Sequence, residues 1–375
     1  MIRAERQTKF KHLNRKLIQK FRDQINDNHH YVLNKYRDVD GKNLWNVICS
    51  AMDWIEVAVD GIPYIQLKHQ NQNVSSLNLM QLICAMDLIV ESVQQLYRVF
   101  NQDYPYRNDK SIFKSEKTDD GYFKHIRAMF GVHPVNLKDD AHQRYFASWS
   151  IPHLKGDFSV FVYSNRTDKE HELYSITISD LFEYTNKRYN LLIELINKVQ
   201  NDYEAHLESG KKRIIPVSNS ITDQLTILMK ENNGRIGQGE AYWYQLEELS
   251  RLFTVEDSIY HDEIRLIIVD YKRDLKKVVE EIRINLQDMN IQELSHYDIL
   301  DPFDRVPYSY EKGKLLSYLH NPDSDFPARS IAEYALETMV EKGILPEMAL
   351  HYDHAELLLL LNAWQWNQNK RKEYS

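Results

Sequence analysis

Apolar residues in the first part of the chain recur every three or four positions. Between Ala4 and Tyr36 the residues Leu13, Leu17, Ile18, Phe21 and Ile25 share one helical face, and no Gly or Pro interrupts them, which predicts a helix. After the turn Asp38-Val-Asp-Gly-Lys42 the pattern resumes over Asn43–Val59 and ends at Gly61-Ile-Pro63. A third helix is predicted over Ser75–Phe100, opening on Ser75-Ser76 as caps. The polar loop Asn101–Lys117 leads to a shorter helix from Asp119 to Gly131. It stops at His133-Pro134, because the residue before a proline avoids the α region.

Beyond this helix the period shortens from helical to alternating. Phe158-Ser-Val-Phe-Val-Tyr163 and Leu173-Tyr-Ser-Ile-Thr-Ile178 are rich in aromatic and β-branched residues and are joined by the polar stretch Ser164–Glu172. They predict a β-hairpin. A long helix is predicted over Ser179–Glu208, Gly210-Lys-Lys-Arg-Ile-Ile-Pro216 breaks the pattern, and the remainder is helical, with Tyr260–Met289 the longest candidate. The expected fold is mainly α: a helical bundle with an inserted β-hairpin, followed by a second helical region. The expected division is a basic N-terminal helix over 1–42, a bundle over 43–211 carrying the hairpin at about 145–179, and a helical region over 212–375.

Composition narrows the function classes. With 375 residues, 43% hydrophobic, the chain can bury a sizeable core, and only 11 Gly and 10 Pro agree with long helices. Two cysteines, Cys49 and Cys84, exclude a disulfide scaffold and a four-cysteine zinc module. Met1–Lys20 lacks the apolar core of a signal peptide, and the aliphatic run Leu357–Leu361 is too short to span a bilayer. A cytoplasmic location without membrane contact is expected. The net charge of −8 is uneven: residues 1–37 carry ten Lys and Arg against Glu5, Asp23 and Asp27. A basic stretch on an acidic chain suits either a solvated helix face or an anionic partner such as nucleic acid.

No phosphate-binding glycine loop, dinucleotide fingerprint, HExxH, GxSxG or calcium loop occurs, which sets aside the enzyme classes that need them. His351-Tyr-Asp-His354 with Glu347 sits beside an apolar helix, and neither a metal nor another cofactor is expected. Two carboxylates stand out instead. Asp87 lies within Leu82-Ile-Cys-Ala-Met-Asp-Leu-Ile-Val90, a stretch apolar on every face, and Asp53 within Val47-Ile-Cys-Ser-Ala-Met-Asp-Trp-Ile55. A carboxylate in such surroundings needs a cation or hydrogen-bond donors. Glu91 follows Asp87 by one turn on the same face. In Tyr122-Phe-Lys-His-Ile-Arg-Ala-Met-Phe-Gly-Val-His133 an apolar stripe runs through Tyr122, Phe123, Ile126, Met129 and Phe130. Arg127 falls at its edge, within reach of another helix, and is the expected partner of Asp87.

Arg127, five intervening residues and His133 followed by Pro134 resemble the R-x(4–6)-H motif of HEPN domains, helical-bundle proteins of nucleotide and RNA metabolism. The position after the arginine, usually polar in that family, is Ala128 here. The resemblance covers about residues 43–200. It implies a metal-independent endoribonuclease of the prokaryotic toxin or phage-defence type, acting on RNA as a homodimer with both motifs at the interface, and a neutralising or triggering partner protein. It also implies Arg127 and His133 as the catalytic pair, with Asp87 and Glu91 in support. Histidine titrates near neutrality and arginine offers a forked donor to two phosphoryl oxygens, which suits attack by a 2′-hydroxyl. The alternatives are Arg127 as the counter-ion of Asp87, and His133 bonded to a carbonyl at a helix end. The protein is then a non-catalytic helical interaction protein or a nucleic-acid-binding regulator.

Overall fold

The computed structural model describes residues 13–132, 134–135, 137–138, 144–149, 156–303, 309–321 and 326–373. The fold is mainly α, as the scarcity of breakers predicts. Two compact units divide the chain, Met1–Glu204 and Ala205–Ser375.

The first unit opens with α1 (Arg15–Asp27) and α2 (His29–Tyr36) where one helix was expected. Asn28 separates them. Its side-chain amide donates to the Gln24 carbonyl (2.8 Å), the acceptor that a continuing helix reserves for its own backbone. Leu17, Ile18, Phe21 and Ile25 are buried, so α1 belongs to the unit's core. α3 (Leu44–Gly61) and α4 (Gln72–Val99) form its centre. By length and composition α4 could cross a membrane, but Leu79, Leu82, Ile83, Met86, Ile89 and Val90 are buried in this core.

The loop after α4 leads into α5 (Asp119–Arg127), which continues as one π-helical turn over Ala128–Val132. The expected hairpin is part of a larger antiparallel sheet in the order β1-β2-β3-β4: β1 (Leu137–Lys138), β2 (Arg144–Trp149), β3 (Phe158–Ser164) and β4 (Glu172–Ile176). Register pairs Ala147 with Val162 and Val160 with Tyr174 on the face toward the helices, where Val160 and Val162 are buried. The predicted helix over Ser179–Glu208 is likewise two, α6 (Ile178–Tyr189) and α7 (Leu192–Lys212). Tyr189, Leu191 and Leu192 are all buried. On one straight helix Tyr189 and Leu191 would point about 200° apart, so the turn at Asn190 lets both enter the core. There the Tyr189 hydroxyl accepts from the Ile18 amide (3.0 Å) and donates to the Asn14 carbonyl (2.9 Å), fastening the start of α1.

Among its described residues the second unit has helices and no strand, with α8 (Ile221–Arg235), α9 (Trp243–Thr254), α10 (Asp262–Gln287), the short α11 (Tyr297–Leu300), α12 (Ser309–His320), α13 (Phe326–Glu341) and α14 (His354–Glu373). α10 supplies Ile268, Tyr271, Leu275, Val278 and Ile282 to a core completed by Leu357–Leu361 of α14. Gly210, expected as a breaker, lies within α7. A Cβ there would collide with the Met289 side chain. Buried Arg235 donates to the carbonyls of Gly210 (2.7 Å) and Arg213, closing the last turn of α7.

Candidate functional site

α5 forms because Thr118 caps it, its hydroxyl accepting from the Gly121 amide (3.1 Å), while Phe123 and Ile126 are buried. That register brings Arg127, the last α-helical residue, against α4. Arg127 Nη1 donates to Asp87 Oδ2 at 2.5 Å, so the pair expected from the sequence forms. Its setting differs from expectation. The Asp87 and Arg127 side chains keep 20% and 37% of their surface, and the helix around Asp87 is not apolar on every face. Leu82, Ile83, Met86, Ile89 and Val90 face inward, whereas Gln81 and Cys84 are exposed, and Asp87 follows Cys84 on that outer side. The guanidinium can thus offer its remaining donors to an anion from solvent.

Glu91 is half-buried but accepts from Gln95 Nε2 (3.1 Å), not from Arg127. His133 lies outside the described residues. His125, two residues before Arg127, packs edge-on against Tyr174 of β4 with ring centroids 5.5 Å apart, on the sheet side of the helix. Burial, with Lys117 nearby, lowers its pKa. Partial desolvation of the thiol also raises the pKa of Cys84, with Asp87 adding to the shift, so the thiol beside the pair is not an activated nucleophile.

Asp53 is exposed, contrary to the sequence reading. Ile48, Ala51, Met52, Ile55, Ala58 and Val59 form the buried stripe of α3, and Asp53 falls off it. Asp53 and Glu56 pair with Arg22, and Asp60 with Arg15 (2.8 Å). Lys35 pairs with Asp202 (2.9 Å). Part of the basic N-terminal charge is therefore directed at this unit's own carboxylates.

The most deeply buried charge cluster escaped the sequence reading. Arg188 of α6 is fully buried, its Nε donating to Asp120 Oδ1 (2.8 Å) and its guanidinium stacked 3.9 Å over the Tyr184 ring. Asp120 also accepts from the Tyr184 hydroxyl (2.8 Å) and from Gln94 (3.2 Å). Asp109 joins Lys187 (2.7 Å) and approaches Arg188 Nη1 at 3.7 Å. Burial works against the Asp109 charge, but Lys187 and Ser111 outweigh it and hold its carboxyl at about 2. The spacing of Asp119-Asp120 and Lys187-Arg188 carries no motif, so nothing in the residue order marks the cluster. These contacts tie the 101–117 loop to α6 and are structural.

Among the described residues no group of three or more His, Cys, Asp or Glu side chains is placed to hold a metal. His354 instead makes a hydrogen bond with the Tyr318 hydroxyl (3.1 Å). Compared with protein-family models, curated proteins and solved structures, the chain matched none.

Proposed function

We propose that the first unit is an RNA-directed helical domain of the HEPN type, a metal-independent endoribonuclease acting through Arg127 and His133, with homodimerisation completing its site. The observation that carries this reading is the setting of Arg127. It ends α5, holds Asp87 through one nitrogen, keeps about a third of its side chain in solvent, and is followed by a π-helical turn. Such turns are frequent at functional sites. Asp87 steers the guanidinium without enclosing it, so Arg127 stabilises charge on a phosphoryl group while histidine moves the proton of the attacking 2′-hydroxyl. The products carry a 2′,3′-cyclic phosphate and a 5′-hydroxyl.

The test is cleavage of single-stranded RNA in EDTA by wild type, Arg127→Ala and His133→Ala. Cutting by wild type alone supports the enzyme. A second reading, a non-catalytic helical interaction protein, is favoured by Trp54 and Val57, which stand 49% and 59% exposed on α3. No cutting by wild type, with partner binding retained in both variants, selects that reading.

A further inference from the structure

The outer face of the sheet has a composition that water alone does not call for. Residues opposite one another in an antiparallel pair share a face, and register pairs Phe146 with Tyr163 and Phe161 with Leu173. These four point away from Val160 and Val162, which are buried toward the helices. Phe146 and Leu173 are exposed and Phe161 and Tyr163 half-buried. The Phe161 and Tyr163 rings follow one another at 6.3 Å, and exposed His171 stands edge-on to Tyr163 at 4.4 Å. The result is a row of π-faces on a rigid support.

At one end of this row Arg144, Arg166 and Lys169 stand against Asp168 and Glu170, so cations outnumber carboxylates. Arg144 shares the outer face of β2 with Phe146, and its carbonyl accepts from Asn165 (3.0 Å), which sets it beside the β3–β4 connection that carries Lys169. Neither Arg144 nor Lys169 has an ion-pair partner among the described residues. Arg166 in the same connection is held by Asp168 (2.8 Å). No described strand residue on this outer face is acidic, because Glu172, opposite Val162, belongs to the other face. Partly exposed rings in sequence with an excess of cations at one end fit unpaired bases and their phosphates, since every base offers a π-face and every linkage a negative charge.

We propose that the outer face of β2–β4 binds single-stranded nucleic acid by stacking bases on Tyr163, Phe161 and Phe146, with Arg144 and Lys169 meeting the backbone. This surface is separate from Arg127 and shares with the proposed function only its ligand class.

The experiment is fluorescence anisotropy of the full chain with labelled oligouridylate carrying 2′-O-methyl groups, about 15 nucleotides long. That probe has no free 2′-hydroxyl, so binding is read apart from cutting. Unmodified oligothymidylate of the same length separates a ribose preference from stacking alone. Phe146→Leu and Tyr163→Leu each weaken binding about fivefold or more, since leucine keeps apolar bulk but not the ring, whereas Tyr163→Phe binds as wild type. Arg144→Ala weakens binding uniformly across sequences and flattens its salt dependence by about one ion. Phe146 is exposed, so its leucine variant keeps the fold, which far-UV circular dichroism checks. No binding of either probe by wild type, or equal binding by both leucine variants, overturns the proposal. So does a face whose leucine variants abolish only self-association, which makes it a protein contact. Cutting lost in Arg127→Ala with unchanged binding in both leucine variants overturns the platform and leaves the nuclease reading standing.

Discussion

Arg127→Ala separates the two roles open to this arginine, because they differ in free energy and in assay. Two unit charges about 4 Å apart attract by about 1 kcal/mol in water and about 4 kcal/mol at the effective dielectric near a protein surface. With 37% of Arg127 and 20% of Asp87 exposed, desolvation is partial and the abandoned carboxylate can rehydrate. The expected loss of stability is therefore about 1–2 kcal/mol, above an exposed pair but below the roughly 3–5 kcal/mol of a sealed one. In a unit of this size that lowers the melting temperature by about 2–8 °C. The loss in cutting should be larger, about 10²–10³-fold, equivalent to roughly 3–4 kcal/mol of transition-state stabilisation. Calorimetry of the full chain and single-turnover cleavage in EDTA read the two quantities on one sample. Arg127→Lys sharpens the comparison: it keeps the charge but loses the fork, so stability should recover more than cutting. A melting temperature that falls by well over 10 °C, in a protein whose wild type cuts no RNA, would refute the reasoning and leave Arg127 as a counter-ion.

Three further outcomes follow from the buried charges. Asp120→Ala strands the fully buried Arg188 and should cost about 3–5 kcal/mol in denaturant titration, several times the effect of Asp87→Ala; equal effects would contradict the burial argument. The Asp109 carboxyl is held near 2, so its contribution to stability is present above about pH 4 and is lost as pH falls toward 2; Asp109→Asn should flatten the acid limb of the melting curve over that range. His320 Nδ1 faces the Leu316 carbonyl (2.7 Å) and Nε2 faces the Glu248 carboxylate (3.1 Å), two acceptors that favour a doubly protonated ring, and the Glu248 bond raises its pKa. That contribution is complete below about pH 6.5 and is lost as pH rises through the raised value, so His320→Gln should remove a loss of stability on the alkaline side, measured by melting between pH 6 and 9.

Helix content was legible because it rests on what the chain lacks, Gly and Pro, and on stripes such as Ile48–Ile55–Val59 that only one period explains. Helix ends without breakers were not. Asn28 and Asn190 end helices through a side-chain bond in one case and core geometry in the other, and neither leaves a distinctive local pattern. β3 and β4 were legible as alternating aromatic and β-branched runs. β2 was not, because its inward residues Tyr145, Ala147 and Trp149 are only half-buried and weaken the alternation. Arg127 and Asp87 were matched because a carboxylate inside an apolar run calls for a cation and Arg127 lies at the edge of an apolar stripe. Asp53 was misjudged because a dense apolar run hides which face a single charge occupies.

The same distinction governs the charge pattern. The ten cations of residues 1–37 suggest an anion-binding arm when counted along the chain. In the folded unit Arg15 and Arg22 meet an acidic stripe, Asp53, Glu56 and Asp60, whose spacing of three and four residues puts it on one face of α3. Lys35 meets Asp202 on α7. Arg15, Arg22 and Lys35 thus serve intramolecular contacts, and their field beyond about 8 Å is screened and partly cancelled. Arg144 and Lys169 come from a stretch with no excess of cations, yet neither has an ion-pair partner among the described residues and both lie near partly exposed rings. What decides a nucleic-acid surface is where cations remain uncompensated next to π-faces, not where they are most numerous in sequence. Among the described residues, the sheet rather than α1 and α2 is therefore the place where single strands should be sought.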